Sequence, residues 1–139
     1  MWIFEHEVTT TATREQVWAL WSDLASWPSW DVTLDSVKPR GEFASQQFAE
    51  LKPKGAKVLV LELLDVDEPN GFVDIQLLPK AKMRTEHKLR DAEGGGLIVS
   101  QSVTFDGPLA RVFRFVIGRG IKRDMPVAMR RLVERAEAS

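Results

Sequence analysis

The chain has 139 residues, 44% of them apolar and 28% charged, with a formal net charge of −1; this predicts one globular domain over residues 1–139 with a real core. It contains no cysteine, which excludes disulfides, thiolate metal sites and cysteine nucleophiles. No apolar run approaches a membrane span, and the stretch Met1–Glu7 lacks the basic and apolar regions of a secretory signal, so a cytoplasmic location is the expectation.

Residues 2–10 alternate and are rich in β-formers, which predicts a first strand with His6 sharing a face with Phe4 and Val8. Thr13-Arg-Glu-Gln16 has the pattern of a capping box, with Thr13 as N-cap. The helix it opens carries Val17, Leu20, Trp21 and Leu24 on one apolar stripe, and Pro28 is expected to end the segment. All five tryptophans, Trp2, Trp18, Trp21, Trp27 and Trp30, fall within the first thirty residues. Each indole buries a large area but wants a partner for its N–H, so this density suggests the wall of a hollow. Trp18 and Trp21 read as core; Trp27 and Trp30, at a tight Trp-Pro-Ser-Trp corner, are candidates for a cavity mouth.

Six extended segments follow, 32–39, 43–52, 57–67, 71–78, 81–91 and 96–105, separated by turn sequences such as Asn70-Gly71 and Gly94-Gly95-Gly96. Connections this short make neighbouring strands antiparallel. The glycine run lacks the Gly-Lys-Ser/Thr of a phosphate loop and reads as a turn. In 81–91 the alternation puts Met83, Thr85, His87 and Leu89 on one face and Lys82, Arg84, Glu86 and Lys88 on the other, so His87 should point inward. The same argument in 96–105 places Gln101 inward with Leu97, Val99, Val103 and Phe105. An imidazole and an amide in a hollow can orient a ligand carbonyl or hydroxyl, and the histidine can move a proton near neutral pH. Asp74 alternates against Val73, Ile75 and Leu77. That predicts solvent exposure; the opposite phase would make it a buried acid and a candidate base. Two histidines far apart, with no matching carboxylate spacing, predict no metal site.

Gly107-Pro108 is expected to open a long terminal helix, with proline at the first helical position. Leu109, Val112, Phe113, Val116, Ile117, Ile121, Met125, Ala128, Leu132 and Ala136 keep helical spacing, while Gly118, Gly120 and Pro126 weaken or kink the middle. Residues 109–139 hold eight bases and three acids, a basic element opposite an acidic remainder.

The order strand, short helices, six antiparallel strands, long helix resembles the START-like helix-grip superfamily (SRPBCC) of birch-pollen-type allergens and polyketide cyclase/dehydrase-like proteins. The residues that carry the likeness are Val17-Trp18 through Trp27-Pro28-Ser29-Trp30, Met83–Leu89, Val103–Leu109, and Gly118–Pro126 running into Met129-Arg-Arg-Leu132. The resemblance implies an α+β fold: a seven-stranded curved antiparallel sheet around the C-terminal helix, one or two short helices after strand 1, and a cavity between sheet and helix. In that setting Trp27, Trp30, Met83, Thr85, His87, Gln101, Phe113, Ile117, Ile121 and Met125 would line the cavity, with His87 a weak catalytic candidate.

Three function classes follow, because one fold hosts many activities. The leading one is binding of a small hydrophobic molecule, lipid, sterol-like or polyketide/aromatic. The alternative is a polyketide cyclase or dehydratase-like enzyme that encloses such a molecule. A third is an interaction module using the basic helix. None implies a cofactor, nucleic acid or stable membrane insertion, and none fixes an oligomeric state.

Overall fold

A computed structural model describes residues 3–139; the expectation for Trp2 lies outside the described residues. Strand β1 (Ile3–Thr10) leads into helix α1 (Arg14–Ser22) and a 3-10 helix (Leu24–Ser29). Then come β2 (Leu34–Pro39), β3 (Phe48–Pro53), β4 (Leu59–Asp67), β5 (Gly71–Leu78), β6 (Ala81–Asp91), β7 (Leu97–Asp106) and helix α2 (Ala110–Ala138). The strands form one antiparallel sheet in the order β1-β7-β6-β5-β4-β3-β2. This is the α+β helix-grip architecture: a curved sheet with the terminal helix across one face.

The capping box at α1 forms as its sequence requires. Thr13 Oγ1 accepts from the Gln16 amide at 3.1 Å, and Gln16 Oε1 accepts from the Thr13 amide at 2.9 Å. Two of the helix's orphan donors are thereby satisfied. Helix α1 stops at Ser22, so Leu24 belongs to the following 3-10 helix, and Pro28 sits inside that helix instead of ending the segment. The tighter 3-10 turn tolerates a proline whose own N–H is not needed.

Helix α2 begins two residues later than the proline suggests. Gly107 has φ +106°, and the Leu109 amide donates to the Lys80 carbonyl at 3.0 Å. Gly107-Pro108-Leu109 is thus a turn pinned to the β5–β6 connection. A side chain at position 107 would also meet Lys80 O at 2.8 Å, so only glycine fits. The helix then runs through Gly118, Gly120 and Pro126 as one element of 29 residues, about 44 Å at 1.5 Å per residue.

The core lies between the inner sheet face and the C-terminal half of α2. Met129, Leu132 and Ala136 are fully buried against β1, β7 and α1, with Val17, Trp21, Leu61 and Val99. Burial of each large apolar side chain contributes about 1.5–3 kcal/mol. Trp18, Trp21, Phe43 and Phe72 form a ring cluster of edge-to-face pairs with centroids 5.0–6.4 Å apart, the geometry aromatic quadrupoles favour.

Candidate functional site

Towards the other half of α2 the sheet and helix do not close on each other. A cavity of about 270 Å³ lies between the inner faces of β3, β5, β6 and β7, the 3-10 corner and α2. Of the ten cavity candidates named from the sequence, nine line this one space: Trp27, Trp30, Met83, Thr85, His87, Gln101, Ile117, Ile121 and Met125. Phe113 does not. It sits in the first turn of α2, next to the segment pinned to Lys80, and the helix reaches the cavity only one turn later at Ile117. Trp27 and Trp30 are walls, not a mouth, since both are buried. Trp27 is anchored by its Nε1–H, which donates to the Trp21 carbonyl at 2.9 Å.

His87 and Gln101 stand opposite each other across β6 and β7, 4% and 8% exposed. His6 pairs with Gln101 from the β1 side, half-buried and outside the cavity wall. Phe72 stacks on the His87 ring at 4.1 Å and 7°, and Trp21 meets it edge-on at 5.5 Å. These contacts fix the plane of the imidazole. Gly71 makes this packing possible, because a Cβ there would lie 2.4 Å from the His87 carbonyl.

Asp74 corrects the sequence reading. It is 2% exposed and faces inward with Phe72, and its Oδ2 lies 2.7 Å from His87 Nε2. The apolar residues that suggested the opposite phase, Val73 and Ile75, are buried on the outer face. In register beside them there stand Glu86 and Arg84, which pair with each other at 3.5 Å. Alternation alone therefore favours the wrong face. A further clue was available in the same strand, where Phe72 and Gln76 share the phase of Asp74.

The pair does not exhaust its own hydrogen-bonding capacity. Asp74 Oδ1, His87 Nδ1, Gln101 Oε1 and Trp30 Nε1 are buried without a partner among the described residues, whereas buried polar atoms are ordinarily satisfied. At the α2 side, Asp31 and Asp124 also line the cavity. Asp31 accepts from the Thr33 amide at 3.0 Å and its hydroxyl at 2.6 Å. Burial nonetheless holds its carboxyl above the usual carboxylate range, and the Asp124 charge adds to the rise. Asp124 is held below that range by hydrogen bonds from Arg123, which is mostly exposed. Among the described residues no three His, Asp or Glu side chains converge as a metal ion would need.

The family model described as polyketide cyclase / dehydrase and lipid transport matches residues 1–137. No curated protein is significantly similar in sequence. Among solved structures, Ara h 8.0201 superposes with TM-score 0.73 at 16% identity over 99% of both chains. A protein from Rhodobacter sphaeroides gives 0.75 at 21% identity over 98% of this chain and 92% of that one. A truncated norcoclaurine synthase from Thalictrum flavum gives 0.71 at 11% identity over 95% and 90%. At these identities the likeness is one of fold.

Proposed function

The chain belongs to the polyketide cyclase / dehydrase and lipid transport family, and from that premise we propose that it binds a small, largely apolar molecule between the sheet and α2. The observation that carries this reading is the cavity of about 270 Å³, walled by Trp27, Trp30, Met83, Ile117, Ile121 and Met125. A space of this kind, apolar with a few convergent polar groups, is the ordinary form of a small-molecule site.

The buried Asp74–His87 pair favours a second reading, a cyclase- or dehydratase-like activity on the same molecule. An ionised carboxylate only accepts, so Asp74 would hold His87 with Nε2–H towards it, leaving Nδ1 as the site that takes up a proton. Asp74 would then stabilise the imidazolium.

Titration with 2-naphthol, a neutral two-ring probe, tests the binding reading. Saturable energy transfer from tryptophan at one probe per chain is expected, since Trp27 and Trp30 form the wall. No uptake of this or any other neutral apolar probe would overturn it. The enzymatic reading further requires that His87→Gln keep the binding while abolishing turnover of such a molecule.

A further inference from the structure

The charge of the cavity wall is one-sided. Asp31, Asp74 and Asp124 line it, and no lysine or arginine does. Arg123 engages Asp124 through Nε and a terminal nitrogen, both at 3.0 Å. That leaves Asp31 and Asp74 without a lysine or arginine in the wall.

Asp74 is the sharper case. It is 2% exposed, and His87 Nε2 reaches only its Oδ2, so Oδ1 has no partner among the described residues. A second acceptor, Gln101 Oε1, is also buried and unpartnered, on a residue 8% exposed that lines the same space. Two buried acceptors without donors carry a desolvation cost that a ligand bearing N–H groups would relieve. A positive charge on those groups would match the carboxylate as well, and the faces of Trp27 and Trp30 attract cations rather than anions.

We propose that the cavity selects an apolar molecule carrying a primary or secondary ammonium group, seated on Asp74, and rejects carboxylates such as free fatty acids. This rests on the binding reading above and narrows it to a class of ligand. A carboxylate in the same place would face the Asp74 carboxylate, and like charges at close range are costly.

Calorimetric titration of the intact chain with 2-phenylethylamine, 2-phenylethanol and phenylacetate compares cation, neutral and anion on one ring. The amine is expected to bind about tenfold more tightly than the alcohol, the size of one charge-assisted hydrogen bond, and phenylacetate more weakly than both. In Asp74→Asn the alcohol should bind as before, while the preference for the amine disappears. Phenylacetate binding as tightly as the amine in the unaltered chain would overturn the proposal without recourse to any variant. So would an unchanged amine preference in Asp74→Asn, or 2-naphthol binding with no response to the amine. If neither 2-naphthol nor any of the three binds, the cavity reading fails and this one with it.

Discussion

The two halves of α2 lie on one sheet yet meet it in opposite ways. From Ala128 onwards the helix buries Ala128, Met129, Leu132, Val133 and Ala136. Its far end is tied to the first strand by the Thr10 hydroxyl, which donates to Glu137 at 2.6 Å. Before Ala128 only Gly118 is buried, Ile117, Ile121 and Met125 are half-buried over the cavity, and Phe115 and Val116 are 83% and 70% exposed. The same helical periodicity thus serves two ends. Buried side chains of the C-terminal half belong to the hydrophobic core, and the N-terminal half roofs a space. What stabilises the fold is therefore concentrated away from what would contact a ligand. The Asp74–His87 pair is the exception, being both buried structure and cavity wall.

That exception gives the largest expected effect. Asp74→Ala leaves the buried His87 without its partner, and should lower the unfolding free energy by about 3–5 kcal/mol. The double change Asp74→Leu with His87→Leu should recover much of the loss, because two apolar groups leave nothing unpaired. Urea unfolding of the three proteins measures this. A near-zero cost for the single change would mean that the pair carries no structural weight.

The contrast between the halves of α2 is tested next. Leu132→Ala removes a side chain from the packed half and should cost about 2–5 kcal/mol. Ile121→Ala, half-buried and facing a space that already exists, should cost less than about 1.5 kcal/mol while weakening 2-naphthol binding. Equal costs at the two positions would mean that the helix packs uniformly and that the cavity is not the distinction drawn above.

Much of this was legible in the chain. In β6 one face is wholly charged, so only one phase is possible and His87 falls where the alternation puts it. In β7 the apolar face is continuous enough to carry Gln101 inward. Strand β5 resists the same reading because it is buried on both faces near its middle: Val73 and Ile75 stand in register beside Glu86 and Arg84, side chains that only the strand register brings there. The Asp74–His87 contact depends on that register and spans twelve intervening residues, so no local pattern announces it. Phe113 fits the helical stripe, but the stripe alone does not say where along α2 the packing ends and the space begins. Gly107 and the Lys80 carbonyl set that start through a tertiary contact.

The central claim is that the space beneath the N-terminal half of α2 is the site of binding. Amide chemical-shift changes on titrating 2-naphthol into isotopically labelled protein test it most directly. The account predicts saturable shifts at Met83, Thr85, His87, Gln101, Ile117 and Ile121, with Val17, Val99 and Leu132 left in place. Shifts confined to the exposed stripe at Val112, Phe115 and Val116, or spread through the packed half, would contradict it.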